Sequence, residues 1–166
     1  MITFTREEIE ERRRQFEGMD LQEVEETLDG LTFKYFIIPQ ELNPEFPNFV
    51  MRITGESSED GELYGVADSV EEEFRKYYVG HEVIEFRELD PETPDRCVRA
   101  LERELALVPG EMKPRYIPGR RAFFETLVEY VRKDQVENGE KHYTANDLSQ
   151  FERNVLTLRE LEERLS

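Results

Sequence analysis

The sequence predicts an α+β fold, in which a small antiparallel three-stranded sheet is followed by, and packed against, several helices. Two observations predict it. Short segments rich in aromatic and β-branched residues lie between residues 33 and 67, and apolar residues three and four apart recur from residue 68 onward. At 166 residues the chain has the length of one domain, 1–166. We divide it into an N-terminal helical segment 1–30, a β-meander 31–67 and a helical part 68–166.

The segment from residue 5 to about residue 28 is predicted to be helical. Thr5 is a candidate N-cap, and Glu8 three residues later completes a capping box. Gly18, Met19 and Asp20 interrupt the helix and divide it into two pieces. Apolar residues are sparse, so we expect this segment to contribute least to the core.

Three strands are predicted at 33–38, 48–54 and 62–67. Pro39 ends the first strand, and a polar run at 55–61 marks a surface turn between the second and the third. Strands that follow one another through short connections favour an antiparallel meander.

Four helices are predicted after the sheet, at 69–89, 94–107, 118–133 and from 144 or 146 to 165. The last carries apolar residues spaced three and four apart, which approximates a short heptad seam. The seam predicts packing within the chain, and a homodimer through this helix is the alternative.

The charge balance excludes two classes of partner. With 22 basic and 39 acidic residues the net charge is −17, and such a surface repels nucleic acid and anionic membranes. No apolar run has the length that a membrane span needs, and the charged start lacks the apolar centre of a signal peptide. Cys97 is the only cysteine, so an intramolecular disulfide is excluded. We therefore expect a soluble cytoplasmic protein.

One turn of the helix predicted at 69–89 carries His81, Glu82 and Glu85. Residues four apart share a helix face, and a helical projection places His81 and Glu85 inside the apolar stripe, with Glu82 at its border. A carboxylate buried there needs a partner, which can be His81, an arginine or a metal. Gly80 in the middle of the helix indicates a close approach to the backbone, either by a neighbouring strand or by a ligand.

The segment from His81 to Glu85 resembles the metal-binding helix of zincin metalloproteases, whose motif is His-Glu-x-x-His. The resemblance covers five residues and the predicted strand before the helix. It implies that His81 binds a divalent metal and that Glu82 is the general base acting on a metal-bound water. Glu85 stands where the motif has its second histidine, and a carboxylate binds Zn²⁺ or Mn²⁺. For a third ligand we choose Glu104, with Glu102 and Asp68 as further candidates. We predict no residues for an organic cofactor.

Two other features have a structural and a functional interpretation. Basic residues cluster before and within the third predicted helix, where they can bind an anion or pair with the protein's own glutamates; these are Lys113, Arg115, Arg120 and Arg121. We favour pairing. Cys97 lies on an apolar stripe and is interpreted as a core residue, since only His81 offers a base that can approach it in three dimensions.

Three functions are consistent with these observations. The first is a binding or structural role, favoured because no complete catalytic set is present. The second is a metal-binding protein or metal-dependent hydrolase built on His81, Glu85 and Glu104, with Glu82 as base. The third is an interaction module that oligomerises through its terminal helices.

Overall fold

The structure is a computed structural model that describes residues 3–165, apart from the side chain of residue 58. Residues 1, 2 and 166 of the predicted domain 1–166 lie outside the described residues. The elements of the described chain are, in order, α1 (Arg6–Gly18), β1 (Glu23–Leu28), β2 (Leu31–Ile38), β3 (Val50–Thr54), β4 (Glu62–Ala67), α2 (Arg75–Val83), α3 (Arg96–Leu107), α4 (Lys113–Asn138) and α5 (Ala145–Leu165). A π-helical turn, Ile84–Glu88, continues α2.

The α+β class is confirmed, but the sheet differs from the predicted antiparallel meander. It has four strands in the order β1-β2-β4-β3, and β2 pairs with β4 in parallel, whereas the other two pairs are antiparallel. β4 is an inner strand, and five of its six residues are buried. It pairs with β2 at one edge and with β3 at the other, so β2 and β3 are not neighbours.

The N-terminal segment is helical only in its first half. The predicted capping box is confirmed, since the side chain of Thr5 accepts a hydrogen bond from the backbone of Glu8 and the Glu8 carboxylate accepts one from Thr5. The helix predicted for the second half of the segment is wrong, because residues 23–28 form the strand β1. Asp29 and Gly30 both have positive φ, 51° and 79°, and make the two-residue turn that pairs β1 with β2.

The helical part places α2 directly on the sheet. A Cβ added to Gly80 would lie 2.5 Å from Cδ2 of Leu28, so the close approach predicted at this glycine is made by β1. α2 is shorter than the predicted helix 69–89. It begins only at Arg75, and at Ile84 the backbone changes to the π-helical turn. Pro118 lies inside α4 instead of beginning it.

The seam of α5 packs on its own chain. Val155 and Leu158 are buried, and Leu148, Phe151 and Leu161 lie against the same core. Dimerisation through α5 stays a prediction. Among the described residues, no helix has both the length and the apolar character to cross a membrane.

Candidate functional site

His81 lies at the centre of the site, on α2 between the sheet and helices α3 to α5. Its side chain is 2% exposed, which confirms the inward direction predicted from the helical projection. The two ring nitrogens face different groups. Nδ1 lies against Glu104 on α3, and Nε2 lies against Glu85 and Cys97.

On the Nδ1 side, Glu104 is completely buried, and each of its two carboxylate oxygens has two hydrogen-bond partners. Its Oε1 lies 2.8 Å from His81 Nδ1 and also 2.8 Å from Nη2 of Arg120. Its Oε2 accepts from Nε of Arg120 at 2.8 Å and from the hydroxyl of Tyr116. The bidentate arginine and the phenol hold the carboxylate in a single position.

The pKa values on this side follow from burial and from the charges that oppose it. Burial by itself would raise the pKa of Glu104, but Arg120 and His81 lower it, so the carboxylate stays ionised. Burial and the charge of Glu104 raise the pKa of Tyr116 well above its usual value, so the phenol keeps its proton. The buried glutamate that has an arginine partner is therefore Glu104. Arg120 does not lie between Glu104 and His81, because these two side chains are in direct contact.

On the Nε2 side, two potential ligands converge on the imidazole. Oε2 of Glu85 lies 3.3 Å from Nε2, and Sγ of Cys97 lies 3.6 Å from it. The nitrogen, the oxygen and the sulfur all lie within 4.8 Å of one another. Burial would lower the pKa of His81, but its hydrogen bonds to Cys97, Glu104 and Glu85 raise it well above the usual value.

Cys97 is the second residue of α3 and is 6% exposed. Its backbone N–H donates to Oε1 of Gln150 at 2.9 Å, and Nδ2 of Asn154 donates to its sulfur at 3.3 Å. Both partners come from α5. Burial and the neighbouring Glu85 raise the pKa of the thiol to about 11. The thiol therefore keeps its proton at neutral pH, although His81 lies beside it.

A cavity of about 490 Å³ adjoins the Nε2 side, and both Glu85 and Cys97 belong to its wall. His142, from the loop before α5, is a further wall residue. Its Nδ1 lies 3.0 Å from Oδ1 of Asp134 on α4, which fixes the direction of the ring. The Nδ1 side of His81 does not face this cavity, since neither Glu104 nor Arg120 belongs to the cavity wall.

The predicted site residues are brought together only in part. Glu85 faces His81 as expected, whereas Glu104 contacts the nitrogen on the other side of the ring. Glu82 is partly exposed and does not line the cavity, and burial and the Glu85 charge raise its pKa. Glu102 and Asp68 are exposed, and neither contributes to the site.

The three arginines of the basic cluster pair with the protein's own glutamates, as predicted. Arg115 contacts Glu71 at 2.8 Å and Arg121 contacts Glu125 at 3.3 Å. The pair of Arg120 with Glu104 differs from these two because it is buried.

Several site residues lie outside the sequence prediction, and these include Cys97, His142, Gln150 and Asn154. Cys97 is as buried as predicted, but it touches His81 as well as apolar residues. The signal for Gln150 and Asn154 was present in the sequence, since both are polar, four residues apart and on the inner face of α5. Polar residues on a buried face usually have a partner that determines their identity.

No family model, curated protein or solved structure matches this chain. Function therefore has to follow from the chemistry of the site itself.

Proposed function

We propose that this protein binds one zinc ion through Nε2 of His81, the carboxylate of Glu85 and the thiolate of Cys97. The fourth coordination position faces the cavity, which is the open form used by metal-dependent hydrolases. The observation that carries the proposal is the mutual spacing of the three ligand atoms.

Ligand atoms around a tetrahedral zinc ion have a defined separation. Zinc–nitrogen and zinc–sulfur bonds of ordinary length place a nitrogen about 3.4 Å from an oxygen and about 3.5 Å from a sulfur. The corresponding distances at His81 are 3.3 Å to Glu85 and 3.6 Å to Cys97. A nitrogen, an oxygen and a thiolate favour Zn²⁺ over Mn²⁺ or Mg²⁺, because thiolate is a soft ligand.

Glu104 is then a positioning residue instead of the third ligand that the sequence suggested. His81 would donate its Nδ1 proton to Glu104 and, on metal binding, release the proton from Nε2, which faces Glu85 and Cys97. Arg120 holds Glu104 in turn. A carboxylate behind the histidine fixes the tautomer and raises the basicity of the ligating nitrogen.

Charge is compatible with the same ligand set. On metal binding the Cys97 thiol would lose its proton, and the divalent cation would neutralise the thiolate together with the Glu85 carboxylate. The N–H of Asn154 that points at the sulfur also stabilises a thiolate, as does the position of Cys97 in the first turn of α3.

Hydrolysis at such a site also requires a general base within reach of the cavity. A bound zinc ion supplies a Lewis acid and lowers the pKa of water. The zincin resemblance assigns the base to Glu82, whereas the cavity wall offers His142, whose ring is oriented by Asp134. We propose His142, because it lines the cavity and Glu82 does not.

Cobalt substitution tests the ligand set directly. Co²⁺ added to metal-free protein is expected to produce a thiolate-to-cobalt charge-transfer band and the intense visible bands of a tetrahedral site. Cys97→Ser is expected to abolish the charge-transfer band, and His81→Ala and Glu85→Gln to weaken binding of Co²⁺ and of Zn²⁺. Zinc content of the purified protein gives the native occupancy.

Glu88→Gln is the matched control, since Glu88 is exposed on the same π-helical turn as Glu85. It is expected to bind both metals as the wild type does. If cobalt produces no thiolate band and zinc gives no saturable binding, the metal site is refuted and the cluster is a buried ionic network. The binding or structural role is then the better explanation.

A hydrolysis assay separates the two candidate bases. With 4-nitrophenyl acetate as probe, the zinc-loaded protein is expected to lose activity in His142→Gln and to keep it in Glu82→Gln. The reverse result would restore the role implied by the zincin resemblance. Absence of activity in the zinc-loaded wild type would restrict the protein to metal binding.

A second candidate is a thiol nucleophile, with Cys97 attacking, His81 as base and Glu104 orienting the imidazole. The contacts of 3.6 Å and 2.8 Å along this chain of residues favour it. The raised pKa of Cys97 and the nearby Glu85 carboxylate oppose it, because both disfavour a thiolate. Rapid alkylation of metal-free Cys97 by iodoacetamide at neutral pH would support this mechanism, and slow alkylation would refute it.

A further inference from the structure

The cavity beside the candidate zinc site contains two arginines that form no ion pair with a carboxylate among residues 3–165. Arg52 comes from β3 and Arg96 from the start of α3, and both line the cavity wall. Each guanidinium lies over the ring of Phe86, at 3.3 Å for Arg52 and 4.8 Å for Arg96, measured from Cζ to the ring centroid. Phe86 therefore holds both cations at the cavity wall.

The remaining contacts of these arginines are to neutral groups. Arg52 donates to the hydroxyl of Thr54, and Arg96 donates to the carbonyls of Glu85 and Leu89. The Nε atom of Arg96 is buried and has no hydrogen-bond partner within residues 3–165. In the part of the chain that the structure describes, neither guanidinium forms an ion pair with a carboxylate.

In a protein of net charge −17 carboxylates are abundant, and the fully buried Arg120 has one as its partner. Two acidic residues line the cavity, and both are engaged elsewhere. Glu85 faces His81, and Asp147 accepts a hydrogen bond from the backbone of Thr144 at the start of α5. Two neighbouring guanidinium groups repel each other, and a bound anion removes that repulsion.

We propose that the cavity binds a small anionic ligand, one that bears a carboxylate or a phosphate, through Arg52 and Arg96. A volume of about 490 Å³ is sufficient for a ligand of metabolite size. The planar guanidinium fork matches the oxygens of either group. For the position of the metal, this inference rests on the proposed function. The anionic end of a substrate binds the arginines while its reacting group lies at the zinc ion.

Nitrogen-15 NMR of the arginine side chains tests this site with inorganic phosphate and acetate as probes. In metal-free protein, each probe is expected to shift the Nε–Hε signals of Arg52 and Arg96 in a saturable manner, at ionic strength matched with sodium chloride. The probe that binds more tightly identifies the chemical class of the anion. Arg52→Gln is expected to weaken binding on the order of tenfold.

Arg52→Lys and Arg99→Gln are the control variants. The lysine keeps the charge and loses the fork, so intermediate binding is expected. Arg99 is exposed on α3 and donates to the carbonyl of Pro94, so its replacement is expected to leave the binding unchanged. Backbone signals far from the cavity report whether each variant keeps the fold.

The proposal is overturned if neither probe gives a saturable shift with or without zinc, or if binding is unchanged in the Arg52→Gln, Arg96→Gln double variant. Its failure is distinguishable from failure of the zinc site. Anion binding without cobalt or zinc binding leaves the arginine site intact and removes the metal. Metal binding without any shift of the arginine signals on addition of an anion leaves the zinc site intact and removes the arginine site.

Discussion

The two nitrogens of His81 belong to one ring but face regions of opposite character. On the Nδ1 side, Glu104, Arg120 and Tyr116 form a closed network in which both carboxylate oxygens are occupied. On the Nε2 side, Glu85 and Cys97 line a cavity, and nearby polar atoms such as Oδ1 of Asn154 have no partner among the described residues. In the proposed function, the Nδ1 side of His81 has a structural role and the Nε2 side a chemical one.

The closed side is expected to determine stability. Glu104 and Arg120 are 0% and 1% exposed, so each charge depends on the other for compensation. The open side is built from groups at a cavity wall, where solvent or a ligand substitutes for a lost contact. Variants on the two sides should therefore differ both in stability and in metal binding.

The largest expected effect is on the closed side. Arg120→Met removes one partner of a buried ion pair and leaves the Glu104 charge uncompensated, which should lower the free energy of unfolding by about 3–5 kcal/mol. Urea denaturation in the presence of a chelator measures it. Arg121→Met is the matched control, because its pairs with Glu125 and Glu162 are near the surface and should cost about 1 kcal/mol or less. Equal losses at both positions would contradict the distinction.

The next effect concerns metal on the open side. At a free Zn²⁺ concentration 100 times the dissociation constant, the wild type should gain about 2.7 kcal/mol in stability, because the ion binds the folded state. Cys97→Ser should gain much less, since the thiolate is lost. Thermal unfolding with and without zinc measures both. An equal gain in the two proteins would indicate that zinc binds elsewhere.

A smaller effect is expected when the open side is altered without metal. Glu85→Gln keeps the shape of the side chain and removes a charge that is 14% exposed and 3.3 Å from His81. We expect a loss of about 1 kcal/mol in metal-free protein, well below that of Arg120→Met. Urea denaturation in the presence of a chelator measures this loss of stability. A loss as large as that of Arg120→Met would show that the two sides do not differ in kind.

The smallest effect is expected at the second histidine–carboxylate pair, His142 and Asp134. The hydrogen bond from His142 lowers the pKa of Asp134 below its ordinary value of 3.8. A lowered carboxyl pKa stabilises the folded state above pH 3.8, and this contribution is lost as the pH falls through the folded value. Asp134→Asn should therefore be slightly less stable than wild type at neutral pH, and the gap should close in acid. A gap that widens on acidification would contradict the sign.

The sequence predicted the elements of the fold better than their arrangement. The α+β class, the capping box of α1 and the presence of all five helices follow from periodicity and from cap residues, which are local properties. β1 was missed because Glu23 to Leu28 contains three glutamates and few apolar residues, although exposed and half-buried residues alternate along it. The parallel pair of β2 and β4 was missed because tertiary packing sets the strand order and inserts β4 between β2 and β3.

From the order of amino acids alone it follows that His81 and Glu85 share an inward helix face and that Glu85 needs a partner there. Which nitrogen of His81 each neighbour faces depends on the folded chain, because α3 and α5 approach the ring from directions that no local pattern encodes. That geometry placed Glu104 at Nδ1 and brought Cys97 to Nε2 from 16 residues away. Helix periodicity fixes the direction of a side chain on its own helix, but the packing of helices selects the atoms it meets.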